Sequence, residues 1–249
     1  MRKPNRTGAA ARRVVYEVRE FCSSHADPKR AERYTRFFVE GYDAYGVDAN
    51  APEWGRQRQA WVGRLREAGP AAFLDAGDAL VRSGKYEEAS FAILFAADLT
   101  EYHTPEAFKR IGAWFDGGIR NWAHTDILAG EVLSAFLLQG KVALEDLERW
   151  RDSPFKFQRR AVPVTLIKLL KGKVDYARLL AAIEPLMMDS EKVVQQGTGW
   201  FLRECWKREP KLTEEFLMKY KDSSPRIIFQ YATEKMPPRD RQRFRRAHK

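Results

Sequence analysis

Two short segments combine residue types and spacings that could do chemistry. In Asn121-Trp122-Ala123-His124-Thr125-Asp126 the tryptophan and the aspartate are four apart. On a helix they share one face, with the carboxylate one turn beyond the indole. The run continues through Ile127, Leu128, Val132, Leu133 and Phe136, so the carboxylate stands in an otherwise apolar helix, where a charge needs a reason. The second segment is Gly199-Trp200-Phe201-Leu202-Arg203-Glu204. A glycine inside a helix costs about 1 kcal/mol relative to alanine, so this one implies either close packing or a ligand approaching the backbone. Between the two, Arg149 to Lys173 holds eight basic residues (Arg149, Arg151, Lys156, Arg159, Arg160, Lys168, Lys171 and Lys173) against Asp152 alone. Converging charges of that kind bind the phosphate backbone of a nucleic acid, whereas the same charges spread over one helix would only be a solvated face.

The elements that must position these residues read as helices throughout. Val14, Val18, Phe21 and Cys22 recur at steps of three and four, and comparable periodicity fills the chain. Asp27-Pro28, Asn50 before Pro52 and Thr104-Pro105 each place a capping side chain ahead of a proline suited to a first turn. Gly84, Gly140 and Gly172 follow apolar runs as stop signals. The pattern predicts helices near 9–23, 28–44, 51–67, 70–83, 85–99, 104–116, 120–139, 143–152, 155–171, 175–188, 190–208, 212–221 and 223–234. With short connections and no strand alternation, this is an all-α chain, expected to stack helix pairs into a right-handed α-solenoid with a concave basic groove and a period of roughly 40 residues. Residues 1–235 are expected to form a single domain and 236–249 a basic C-terminal tail set off by Pro237-Pro238.

The formal charge of +10 is concentrated at the ends, because residues 1–13 and 236–249 each carry a net +5 and leave the body near zero. No apolar run approaches the ~20 residues that cross a bilayer, and no signal series opens the sequence, so a cytoplasmic protein is expected. It is separately expected to be a monomer and to be nucleoid-associated while on DNA. Cys22 and Cys205 lack the paired histidines of a zinc site and read as buried thiols, with no metal expected. Trp54, Trp61, Trp114, Trp150 and Trp206 are assigned to packing, and His25, His103 and His248 to the surface.

Trp122 with Asp126, Gln158 to Ala161, and Gly199-Trp200-Phe201-Leu202-Arg203-Glu204 occur in the order and approximate spacing of the AlkD-type DNA alkylation repair family, which the chain resembles over about residues 28 to 235. The resemblance implies HEAT-like repeats and a DNA glycosylase that excises cationic N3- and N7-alkylated purines. Carried over residue by residue, Trp122 and Trp200 resemble the tryptophans that frame the lesion's deoxyribose, Asp126 the catalytic carboxylate, and Arg160 an arginine gripping the backbone nearby. Arg159, Arg203, His124, Lys156 and Phe37 are the further DNA-binding candidates. Phe37 stands where the family has a groove-lining tyrosine, and His124-Thr125 departs from the family between tryptophan and aspartate.

The chemistry so implied is economical. Alkylation at N3 or N7 makes the purine cationic and hence a good leaving group without protonation. A carboxylate stabilises the oxocarbenium character on the sugar and positions a water. Indole faces hold a cation at about 0.5–2 kcal/mol each and exclude bulk water. No cofactor is implied, the partner is double-stranded DNA with alkylated purines, and the base is expected to stay stacked rather than to be extruded. The alternatives are a noncatalytic helical-repeat module for damaged or branched nucleic acid and a protein-binding scaffold, the last without salt-dependent DNA affinity.

Overall fold

The computed structural model describes residues 6–246, and among them there are helices and no strands. The fold is all-α. The chain divides into two compact units, one ending at Leu128 and one beginning at Ala129, where the sequence suggests a single domain to 235.

The first unit is built from α1 (Arg6–Ser24), α2 (Pro28–Thr35), α3 (Pro52–Ala68), α4 (Pro70–Arg82), α5 (Tyr86–Asp98), α6 (Pro105–Gly112), α7 (Trp114–Gly117) and α8 (Trp122–Ile127). Helices α1, α3, α4 and α5 pack on one another. Their apolar stripes bury Val14, Val18, Trp61, Leu65, Phe73 and Leu80, and the rings of Trp54 and Phe91 stack at 3.9 Å. Asp27 and Thr104 cap α2 and α6 as their positions before proline suggest, but α3 starts from Ala51 without a side-chain cap, so Asn50 is not one. Helix α2 is the largest departure from the periodicity. It stops at Thr35, and residues 36–51 form an irregular loop, because its backbone finds partners far away in sequence, on α5.

A π-helical stretch, Leu128–Leu133, follows α8. The second unit then contains α9 (Ser134–Leu138), α10 (Leu144–Glu148), α11 (Lys156–Leu169), α12 (Tyr176–Ile183), α13 (Lys192–Trp206), α14 (Pro210–Tyr220), α15 (Arg226–Ala232) and α16 (Pro238–Arg241). Within this unit α11 touches α13 and α13 touches α15 in one row, while α12 touches α14 in another. The first row's helices begin at 156, 192 and 226, so the helix pairs recur somewhat more tightly than the expected period.

Cys22 and Cys205 are both buried free thiols. Burial pushes each thiol's pKa up, so neither is a nucleophile at neutral pH. Trp114 packs as expected, with its indole N–H donating to Asp78 at 2.8 Å. His103 is not on the surface: it is buried, with Nε2 at 2.9 Å from the Ala96 carbonyl. His248 lies outside the described residues. Residues 236–246 are no free tail, because Phe244 is buried against Phe229 and Arg226 and Arg246 donate to the carbonyls of Phe244 and Ser224.

Candidate functional site

In the first unit the candidate residues gather at the start of α8. Asn121 is its N-cap: the side-chain oxygen accepts the His124 N–H at 2.8 Å, and the Thr125 hydroxyl donates back to the Asn121 carbonyl. Trp122 is 42% exposed and held at two places. Its indole N–H donates to the Phe37 carbonyl at 3.1 Å, and its ring lies nearly parallel to Phe38, 6.0 Å between centroids. Asp126 follows one turn later, half-buried, on the same short helix. Phe37, whose ring carries the Arg36 guanidinium at 4.9 Å, therefore meets Trp122 through its backbone, while Phe38 supplies the ring contact that periodicity did not single out.

His124 departs from its expected place on the DNA-facing surface. It is buried, stacked on Tyr86 at 4.2 Å, with Nε2 at 2.9 Å from the Ser90 hydroxyl and Nδ1 at 2.9 Å from the Asn121 side-chain nitrogen. The amide donates to Nδ1, Nε2–H donates to Ser90 and Ser90 donates to the Tyr86 carbonyl, a chain that requires a neutral ring. Burial pushes its pKa down to about 4, only partly opposed by the Tyr86 backbone. Its role is to seat α8. A consequence for stability follows from the sign of the shift. Between pH 6.5 and 4 the unfolded chain binds a proton that the folded one refuses, so stability is full above 6.5 and falls as pH drops through that window, by about 3 kcal/mol. Urea midpoints of wild type and His124→Phe should therefore converge as pH falls from 7 to 4.5, and parallel slopes would rule this out.

Two buried acids underlie this corner, Glu87 and Glu88 in the first turn of α5. Glu87 accepts three consecutive backbone N–H groups, from Tyr45 at 2.9 Å, Gly46 at 2.7 Å and Val47 at 3.1 Å. Glu88 accepts from the Tyr45 hydroxyl and from Arg19, each at 2.9 Å. Burial and then Glu88 push the Tyr45 phenol up to about 12, and burial and Glu87 likewise raise Tyr42 and Tyr86, so all three stay protonated. In the sequence the only sign of these acids is an adjacent pair opening an apolar helix, a pattern that ordinarily reads as a solvated first turn.

In the second unit α11 and α13 carry the remaining candidates. Trp200 is half-buried on α13. Gly199 beside it faces α15: a Cβ there would stand 2.6 Å from the Tyr231 Cβ and 2.7 Å from the Ile228 carbonyl, so the glycine serves close helix packing. Gly197 does the same for α11, since the Arg160 stem would lie 3.1 Å from its Cβ. Arg160 is buried, with Nη1 donating to the Val193 carbonyl at 2.6 Å. Arg159 is clamped on Asp189 at 2.6 Å and donates to the Ser153 carbonyl, and Arg203 bridges Glu204 and Glu234. Lys156 reaches Glu191 at 3.6 Å. The basic run is thus largely answered by acids elsewhere in the unit, with Arg149 on Asp146, Arg151 on Glu148 and Lys168 on Glu131 as well. Lys171 and Lys173 remain exposed.

Among the described residues there is no group of three or more His, Cys, Asp or Glu arranged to hold a metal ion, and no helix is long and apolar enough to cross a membrane. A family model described as DNA alkylation repair enzyme matches residues 18–236. No curated protein sequence matches the chain. A solved structure described as a predicted DNA alkylation repair enzyme from Enterococcus faecalis is similar with a TM-score of 0.70 at 16% identity, covering 86% of this chain and 98% of that one. Two Streptococcus mutans structures are also similar. One, described as smu.31, has a TM-score of 0.60 at 18% identity over 74% of this chain and 94% of its own. The other, described as AlkD2, has a TM-score of 0.59 at 19% identity over 73% and 89%. At these identities the structures establish a shared fold.

Proposed function

The chain belongs to the DNA alkylation repair enzyme family, and we propose that within it this protein is a glycosylase, hydrolysing the N-glycosidic bond of cationic N3- or N7-alkylated purines in duplex DNA. The observation that carries the reading is the start of α8, where a tryptophan held by its N–H and one ring face stays 42% exposed, one helical turn from a half-buried carboxylate. An indole so held is rigid before any ligand arrives, so its contact with a cationic sugar loses little conformational entropy.

Asp126 is the group that stabilises the developing oxocarbenium ion and orients the attacking water. Trp122 and Trp200 are the indoles that face the deoxyribose. Arg160 contributes a fixed positive charge, its guanidinium anchored on Val193, and Phe37 and Lys156 are the DNA contacts best placed by exposure and side-chain reach. Arg159, Arg203 and His124 act one step back, through the ion pairs and hydrogen bonds that shape α11, α13 and α8. The reaction requires no cofactor, because the lesion's own charge weakens the bond. The base remains stacked throughout.

Lesion charge provides the test. Purified protein incubated with duplex DNA containing 7-methylguanine or N3-methyladenine should release the free base, while a neutral alkylpurine such as O6-methylguanine should be released at least about 10²-fold more slowly, the scale of one lost electrostatic contact in a catalytic site. Equal rates on neutral and cationic lesions would overturn the proposal. Salt-dependent binding without release of either base would instead identify a noncatalytic DNA-binding module.

A further inference from the structure

We propose that Glu87 is a positioning residue for Trp122, acting through the loop of residues 36–48, an inference that rests on the reading of Trp122 as a contact to the damaged nucleotide. A carboxylate in a helix's first turn interacts favourably with the helix dipole while fully solvated, so the dipole alone does not require Glu87 to leave water. It is nonetheless only 3% exposed, and its two oxygens converge on three successive N–H groups of the loop. The Tyr45 and Gly46 carbonyls are taken by the Asp27 N–H at 2.9 Å and by Arg30 at 3.3 Å, and the bonds to Glu87 hold the N–H side of the same segment. Gly46 allows the turn, with φ +81°, at a point where a Cβ would stand 2.1 Å from the Asp27 carbonyl. Tyr86, the residue before Glu87, adds a bond from its N–H to the Asp43 carbonyl at 2.8 Å.

From this anchor the path to the indole is short. Tyr42 stacks on Phe38 at 4.6 Å with ring planes 6° apart, and Phe38 lies on Trp122 with planes 14° apart, so three rings run nearly parallel. The carbonyl that accepts the Trp122 N–H belongs to the adjoining Phe37. Both supports of the indole therefore stand on the loop whose residues 45–47 Glu87 grips, and Tyr86, the neighbour of Glu87, also faces the rings of Phe38 at 5.5 Å and Tyr42 at 5.0 Å. Without the carboxylate, three N–H groups, two of them buried, lose their acceptor. Although the Tyr45 carbonyl keeps the Asp27 N–H and the Asp43 carbonyl keeps the Tyr86 N–H, the slack at 45–47 weakens the ring support and the hydrogen bond of the indole together.

Glu87→Gln keeps the size but turns one oxygen into a donor facing an N–H. The proposal predicts that single-turnover release of 7-methylguanine falls about tenfold while DNA affinity is unchanged, the signature of a misplaced contact rather than of lost binding. Adding Trp122→Ala should lower the rate no further than Trp122→Ala alone, because both changes remove one interaction. Amide hydrogen exchange across residues 36–48 should accelerate in step. Glu87→Asp, which keeps the charge but is too short for all three N–H groups, is expected to show the same non-additivity and serves if the amide variant fails to fold. Rate losses that multiply in the double variant, or an opened loop with an unchanged rate, would overturn the proposal. If wild type releases no base, the glycosylase reading falls on that result alone. Positioning is then read from acrylamide quenching of the Trp122 emission, taken as wild type minus Trp122→Phe: a rise in Glu87→Gln upholds it and no change sinks it.

Discussion

Asp126→Asn is expected to reduce base release from N7-methylated duplex DNA by roughly 10²- to 10³-fold while leaving DNA affinity within about twofold. The substitution conserves shape and removes only the charge. At an effective dielectric of about 20, a carboxylate about 4 Å from a developing cation is worth about 4 kcal/mol, roughly three powers of ten in rate. Part of that is offset because an amide can still orient water. Single-turnover measurement isolates the chemical step, and the loss should appear there with little change in the half-saturating protein concentration. If Asp126→Asn releases 7-methylguanine at the wild-type rate, the carboxylate has no part in the reaction and the assignment fails.

Gly199→Val should destabilise the second unit by about 4 kcal/mol, near the upper end of single-substitution effects. The first Cβ alone would lie 2.6 Å from one carbon and 2.7 Å from a backbone oxygen, and valine adds two methyl groups to a seam that has no room for one. A thermal midpoint lower by about 10 °C is expected for a chain of this size. Gly199→Ala should fall between valine and wild type. Since Trp200 is the next residue, the milder variant should also perturb base release, and an alanine variant with wild-type melting would show that α13 and α15 can separate without loss.

How far the sequence disclosed this arrangement depends on the separation of the interacting groups. The all-α class, the proline-bounded helix starts at 28 and 105 and the shared face of Trp122 and Asp126 were legible, because each is decided within one or two turns. Gly199 was legible as a position needing explanation, and the contact with α15 selects packing from the two causes it allows. The loop at 36–51 was not legible. The partners of its backbone lie about forty residues away, and nothing local distinguishes Glu87 from a solvated acid. His124 was misplaced for a related reason, since burial depends on Tyr86 and Ser90 from another helix. The basic run misled in the opposite direction: counted along the chain it is almost unopposed, yet Asp189, Glu131 and Glu191 answer it in space.

Residues 236–246 carry a high density of arginine and also close off apolar surface. With Phe244 seated on Phe229, and Arg226 and Arg246 each donating to a carbonyl across the segment, residues 236–246 work as a stopper for the hydrophobic interior behind them. Cutting at 235 to discard a supposedly dispensable cationic appendage would uncork that interior, exchanging lost affinity for a greasy, association-prone end.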